Sequence, residues 1–442
     1  MNYTFDTICA TATPLSTGGI GVIRVSGENS IEIVQKIFNK KIVPKIINHG
    51  WILNNGKKID EVIVLPFVAP HSYTGENVAE IQTHGSPVVI NEILNLILEN
   101  GARLAQRGEF TKRAFLNHKI DLSQAEAVLD LINAKTTKSA QGAANNLSGA
   151  LKIKIEEIKT QISDILGRII ASLDFPEDVA EVSYDEIIEK IENSIKNIEE
   201  ILKNARIHNI LRQGVKIAVA GRPNAGKSSL FNALLNIDRA IVTEIEGTTR
   251  DTITETLDLN GISATLIDTA GIRNESADKV EKIGIEQSKS AIEQADVVLC
   301  LYDGQVGIND KDREIFELAK NKKHLIVRTK CDLCPSISQN GEISISSVTK
   351  EGIEELKNAL YKEIIGLNPA ENEFLTNQRH QNCLKLSLEA LNNALEGTKQ
   401  QELQDLISID LKAALTNLGE ISGEVITDNI LNNIFENFCI GK

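Results

Sequence analysis

The strongest chemical signal in this 442-residue chain is the stretch GRPNAGKS, which sets Gly221, Gly226, Lys227 and Ser228 at the spacing G-x-x-x-x-G-K-S. The two glycines let the backbone curl until its N–H groups face phosphate oxygens. Lys227 then reaches the outer phosphates and Ser228 offers a hydroxyl to Mg2+. The run KIAVA precedes the motif and SLFNALLN follows it. That strand-then-helix setting adds the positive end of a helix to the anion site. Asn224, Ala225, Gly226, Lys227, Ser228 and Ser229 are therefore read as nucleotide contacts.

Four further stretches refine the chemistry. LIDTAG supplies Asp268 behind a strand, suited to hold Mg2+ through water. Thr269, Ala270 and Gly271 follow, with the Gly271 N–H aimed at a γ-phosphate. RTKCD closes the strand-like HLIVRT and contributes Thr329, Lys330 and Asp332. A carboxylate only accepts hydrogen bonds, so Asp332 suits the N1–H and exocyclic amine of guanine, whereas adenine has no donor at N1. The nucleotide is expected to be GTP. Loops of this kind usually carry Asn where Thr329 stands, so guanine choice should survive on Asp332 with reduced affinity. SISSVTKEG gives Ser346, Ser347 and Val348, whose backbone can touch the guanine carbonyl. VTEIEGTTRD occupies the place of a switch loop, with Thr249 as second Mg2+ ligand, ordered only while the γ-phosphate is present.

These residues need a scaffold, and the chain has three textures. Residues 1–118 mix β-rich runs (GVIRVSG, EVIVLPFV, VAEIQTHG) with short amphipathic helices near 29–39 and 87–100, which predicts a compact α+β domain. Residues 119–212 are helical. Leu151, Ile155, Ile158, Ile162, Ile165 and Ile169 form one stripe, and Ile188, Ile191, Ile195, Ile198 and Leu202 another. Pro176 breaks the text between them. Residues 213–371 alternate strands and helices, the pattern of a parallel sheet with crossover helices. Helical text returns over 372–442, with Leu384, Leu388, Leu391, Leu395, Leu411, Leu415 and Leu418. The simplest architecture is a helical bundle built from two chain segments, with an α/β domain inserted between them.

Composition narrows the class. No run of eighteen apolar residues is present, so no membrane span is expected, and the start MNYTFDTICATATP is not a secretory leader. Six scattered cysteines suit reduced thiols in a cytoplasm. The pair in CDLC is a C-x-x-C only by overlap with the base-recognition loop. A net charge of -14 argues against broad phosphate neutralisation as the source of nucleic-acid affinity, and leaves room for a more basic partner. The terminal FCIGK puts Cys439 four residues from the end, but Lys442 suits a prenylation signal poorly.

The nucleotide-binding text resembles the TrmE–Era–EngA group of GTPases, a Ras-like P-loop fold. The flanks ATATPLSTGGIGVIRVSG, PHSYTGENVAEIQTHGS, GEFTKRAFLNHKIDLSQAEAVLDLI and FCIGK resemble the MnmE (TrmE) family over essentially the whole chain. The family's early G-R-G-G reads S-T-G-G here, at Ser16–Gly19, so no arginine acts there. The resemblance implies several assignments. Ile272 stands where many GTPases place a water-orienting Gln, and Glu281 in VEKIGIE takes over as catalytic residue. Asn224 and the carbonyls of Thr243, Ile245 and Thr248 form a potassium site.

The resemblance also implies that the N-terminal domain is folate-binding-like and pairs with its copy in a homodimer. It would hold 5-formyl- or 5,10-methylene-tetrahydrofolate through Arg24, Glu80, Lys119 and Lys442. Folate carboxylates suit Arg and Lys, and the pterin donors suit a carboxylate. Cys439 is a nucleophile or acid/base candidate at the one-carbon unit. Its rival reading is a buried structural thiol. His84 and His118 are outside candidates. The partner implied is the flavoprotein MnmG (GidA), bringing FAD and NADH in a heterotetramer. The reaction implied is addition of a (carboxymethyl)aminomethyl group to C5 of the wobble uridine of certain tRNAs. Two alternatives stand beside it: a regulatory or ribosome-assembly GTPase without one-carbon chemistry, and a membrane-peripheral scaffold using the tail as a lipid site.

Overall fold

The computed structural model describes residues 6–238, 254–268, 289–334, 341–366 and 374–442. They form two compact units, one of Met1–Leu129, Lys152–Ile170 and Asp405–Lys442, the other of Asp130–Leu151 and Ala171–Gln404.

The first unit is built on a six-stranded sheet in the order β3-β4-β5-β2-β1-β6. Its strands are β1 Ile8–Thr11, β2 Gly18–Ser26, β3 Asn48–Asn54, β4 Lys57–Phe67, β5 Val78–Gly85 and β6 Arg103–Leu104. Only β1 and β6 pair in parallel. The helices Ser30–Ile37 and Pro87–Glu99 lie on one face, where Ile33, Ile37, Ile90 and Ile93 share a core with Ile23, Val25, Val64 and Ile81. Side chains alternate along a strand, so burying Ile23, Val25 and Ile81 turns Arg24 and Glu80 to the other face. The helix Glu109–Leu116 and the terminal helix Asp428–Phe435 also belong to this unit.

The second unit holds a sheet in the order β12-β11-β10-β7-β9-β8, with β7 Val215–Gly221, β8 Thr254–Leu259, β9 Ile262–Asp268, β10 Val297–Asp303, β11 Lys323–Thr329 and β12 Glu342–Ser344. The central β10 is buried at all seven positions, as a strand covered on both faces must be. Strand–helix alternation predicts a parallel sheet throughout, but β8 runs antiparallel to β9. Asn260 and Gly261 cause this: φ values of 53° and 93° make the two-residue turn that closes a hairpin, whereas a parallel connection needs a long crossover.

The helical text folds as helices, with one shift of face. Along Ala150–Asp174 the whole expected stripe from Leu151 to Ile169 is buried. Along Tyr184–Lys203 the core takes Ile187 and Ile201 where the stripe proposed Ile188 and Leu202. The adjacent pairs are chemically alike, so spacing alone does not choose between them, and packing does.

Candidate functional site

The described nucleotide-binding candidates collect at one end of the second sheet. β10 is parallel to both β7 and β11, pairing Leu301 with Gly221 and Asp303 with Thr329. The carboxyl ends of these strands therefore lie together, the place where open α/β sheets take ligands. β7 ends at Gly221, the loop turns, and the helix Lys227–Asp238 begins. A Cβ on Gly221 would lie 2.7 Å from the Leu301 carbonyl oxygen, so only glycine fits against β10. Asn224 and Gly226 take φ of 65° and 90°, which turns the loop back on itself. Asn224, Ser228 and Ser229 are exposed along it, and Ala225 is buried beneath. Lys227 Nζ donates to the carbonyls of Gly221 (2.7 Å) and Arg222 (2.9 Å), bridging the loop's mouth. Arg222 is turned aside, held by the fully buried Asp312 at 2.7 Å. A loop of this curvature, with a lysine across it and exposed hydroxyls at the helix start, fits a nucleotide and Mg2+.

The base-recognition loop is tied to that loop through Thr329. Its hydroxyl lies 2.9 Å from the Ala225 carbonyl and 3.1 Å from the Tyr302 carbonyl, and the residue is 2 % exposed. Lys330, in the left-handed region at φ 59°, reaches Asp303 at 2.6 Å. Burial raises the Asp303 pKa, but Lys330 and the Gln305 N–H hold the carboxylate below its ordinary value. Asp332 stands exposed on the single 3-10 turn Cys331–Leu333. Ser346 is buried, and its hydroxyl accepts from the N–H groups of Val348 (3.3 Å) and Thr349 (3.1 Å). Its side chain shapes the turn that presents Ser347 and the exposed Val348. β9 ends at Asp268. Thr243, Ile245, Thr248, Thr249, Thr269, Ala270, Gly271 and Glu281 lie outside the described residues.

The folate candidates all lie in the first unit. Arg24 and Glu80 are register partners on β2 and β5. Arg24 Nε and Nη2 reach Glu80 Oε1 at 2.8 and 2.7 Å, with the side chains 14 % and 19 % exposed. Glu80 is thus first of all the counter-charge that keeps Arg24 in place. Tyr73 and Phe110 add aromatic faces, with ring centroids 5.1 and 5.7 Å from the guanidinium carbon. Sequence reasoning did not single out either ring. Arg24 Nη1 is buried with no hydrogen-bond partner, so that nitrogen is left to donate to an acceptor from outside. Lys119 is exposed and donates to the Pro70 carbonyl at 3.0 Å.

The tail arrives at this place. Gly441 is buried at φ 96°, and a Cβ there would lie 2.0 Å from the Thr11 carbonyl oxygen. Lys442 is half-buried. Burial and then the Arg24 charge push its pKa down, against an upward pull from Glu80 and Cys439. Cys439 is exposed, whereas Cys9 and Cys300 are buried and pushed up to about 12 by that burial. The exposure of Cys439 does not fit its rival reading as a buried thiol. His84 Nδ1 lies 2.6 Å from Asp60 Oδ1, and His118 sits exposed at φ 56° in the turn after Glu109–Leu116. Among the described residues, no group of three or more His, Cys, Asp or Glu could hold a metal, and no helix is long and apolar enough to cross a membrane.

Comparison with known proteins agrees over the whole chain. Residues 122–439 match the family described as MnmE helical domain, and residues 7–119 that described as GTP-binding protein TrmE N-terminus. The tRNA modification GTPase MnmE of Thermotoga petrophila is 40 % identical over 450 residues, covering 99 % of this chain and 100 % of that protein. The protein of the same name from Alkaliphilus metalliredigens is 43 % identical over 458 residues, covering 99 % of each.

Proposed function

The chain belongs to the MnmE family of tRNA modification GTPases, and on that premise we propose that it uses GTP hydrolysis in adding a (carboxymethyl)aminomethyl group to C5 of the wobble uridine of certain tRNAs. A flavoprotein of the MnmG kind is its partner, carrying FAD and NADH in a heterotetramer. The observation that carries this reading is the tail: Gly441 fits against Thr11, and Lys442 feels the charges of Arg24 and Glu80. A regulatory GTPase has no use for such a seat.

A tetrahydrofolate bound there would supply the one-carbon unit. Arg24, fixed by Glu80 and two rings, keeps its Nη1 for a carboxylate or carbonyl oxygen of that molecule. Lys442, its pKa lowered by burial and Arg24, releases a proton more readily than a free lysine and can bind or shuttle one. Cys439 presents its thiol to solvent beside them as nucleophile or acid/base. At the other site, Lys227 and the loop N–H groups neutralise phosphate charge, Ser228 holds Mg2+, Asn224 holds K+, and Asp332 selects guanine. Glu281 orients the attacking water.

Two copies pair through the first unit. Leu15, Ile20 and Val88 are 52 %, 66 % and 74 % exposed at the rim where β2 and the helix Pro87–Glu99 begin, which supports a buried partner surface there. The net charge of -14 supports a division of labour in which the flavoprotein grips most of the tRNA, and the free thiols support a cytoplasmic setting.

The test is removal of Cys439–Lys442. GTP hydrolysis by the purified protein is expected to persist. Nucleoside analysis of tRNA from cells carrying only the truncated protein is expected to find unmodified wobble uridine. Persistence of the modification, or no heat of binding with 5-formyltetrahydrofolate, would overturn the proposal in favour of a regulatory GTPase.

A further inference from the structure

We propose that the helix Glu109–Leu116 is a spacer that sets the position of the C-terminal tail relative to Arg24, and that Gly108, which opens it, is a positioning residue for the one-carbon site. This rests on the folate reading above.

The helix holds both parties. Phe110, fully buried, provides one of the rings facing the Arg24 guanidinium, at 5.7 Å. Two residues earlier, the Gly108 N–H donates to the Cys439 carbonyl at 3.4 Å. Gly108 has φ 64°, and a Cβ there would lie 2.8 Å from the Phe435 carbonyl oxygen and 3.0 Å from Phe438 Cβ. The nearer of these is backbone and cannot rotate away. One turn on, Lys112 Nζ donates to Asn432 Oδ1 at 3.0 Å in the terminal helix. Further along, the Phe115 ring lies where a Cβ on Gly423 would be 2.8 Å away. The helix rises about 1.5 Å per residue, so Phe110, whose ring faces Arg24, and the tail's seat at Gly108 are about 3 Å apart along its axis.

The tail has little slack beyond that seat. Phe435 and Phe438 are 2 % and 1 % exposed, with ring centroids 5.4 Å apart. They are the last buried apolar anchors before the exposed Cys439 and Ile440. Chain ends fray unless tied. Four residues past an anchor reach at most about 14 Å. A shift at Gly108 therefore passes directly to Cys439 and Lys442, whereas the nucleotide-binding residues belong to the other unit. Nothing in the GTPase chemistry asks for a glycine at position 108. The close approach of the tail does.

The experiment uses the full-length protein with Gly108→Ala. Three readouts are compared with wild type: GTP hydrolysis, tRNA modification in complemented cells, and the rate at which carboxypeptidase B removes Lys442. Hydrolysis is expected within twofold of wild type, modification is expected to fall at least tenfold, and Lys442 release to rise at least tenfold. Should Gly108→Ala fail to fold by circular dichroism, Phe438→Leu carries the same test with an apolar anchor of different shape, and a smaller change of the same sign is expected. A folded variant with wild-type modification and wild-type Lys442 release overturns the spacer. Wild-type protein that does not bind 5-formyltetrahydrofolate overturns the reading beneath it. In that case the carboxypeptidase arm still decides whether the helix seats the tail.

Discussion

Replacing Thr329 with valine isolates a single hydroxyl at the junction of phosphate and base recognition. The two side chains have nearly the same shape, so packing at this 2 %-exposed position changes little. What is lost is the donor that Ala225 O and Tyr302 O share at 2.9 and 3.1 Å. Leaving buried carbonyls without their partner costs about 1–3 kcal/mol. In a unit of this size, each kcal/mol lowers Tm by about 2–4 °C. If the hydroxyl also holds the base loop against the phosphate loop, part of the same energy appears in binding, where about 1.4 kcal/mol is tenfold. GDP affinity is then expected to fall about 5- to 100-fold. Guanine over adenine preference should be retained, since Asp332 is untouched. The assay is titration with a fluorescent GDP analogue beside thermal unfolding without nucleotide. Thr329→Ser, which keeps the hydroxyl, serves as control and should stay close to wild type in affinity. A Thr329→Val protein with both wild-type affinity and wild-type Tm would refute the linkage between the two loops.

Gly441→Ala puts a methyl group 2.0 Å from the Thr11 carbonyl at a φ that suits glycine, so the tail must lift. Its tRNA modification is expected to drop at least tenfold with GTP hydrolysis unchanged, measured by nucleoside analysis and phosphate release. The buried thiol of Cys9, pushed up to about 12 from 9.0, keeps its proton in the folded state over a range where the unfolded chain has lost it. Stability must therefore fall as pH rises above about 9, by about 1.4 kcal/mol per pH unit for one such thiol. Cys9→Ala should flatten the fall in urea midpoint between pH 8 and 10.5, and an unchanged slope would remove Cys9 from the account. Arg103 hydrogen-bonds Asp6 and lowers its pKa; it also lowers that of Glu109, against the upward pull of burial. The stability these carboxylates lend is present above their ordinary range near pH 4 and lost as pH falls through their depressed values. Arg103→Met should move acid unfolding of the first unit to higher pH, read by circular dichroism.

What was legible in the sequence was what is local. The phosphate loop announces itself because eight consecutive residues carry the curl, the cation and the hydroxyl. Asp332 reads as the base-selecting carboxylate because guanine's donors are few. Long amphipathic helices followed from spacing. Failures begin where an answer depends on a distant partner. Ile188 and Ile187 are interchangeable by period, and only the packed neighbour decides that Ile187 goes inside. Lys330, read as a nucleotide contact, also meets Asp303 at 2.6 Å once β10 is set beside β11, a partner its motif does not show. Arg24 and Glu80 looked like separate ligands for opposite ends of one molecule. Their register across β2 and β5 makes them a pair, which residue type and spacing do not show, and leaves Arg24 Nη1 without a partner. The tail shows the same division more sharply. A glycine six residues after the terminal helix suggests a close approach, but not to what. The oxygen it approaches belongs to Thr11, at the far end of the chain, and the glycine that seats the tail is at 108. Each of these is cheap for the chain to specify, since a missing Cβ is the whole requirement, and for that reason each is silent until the fold brings its partner within reach.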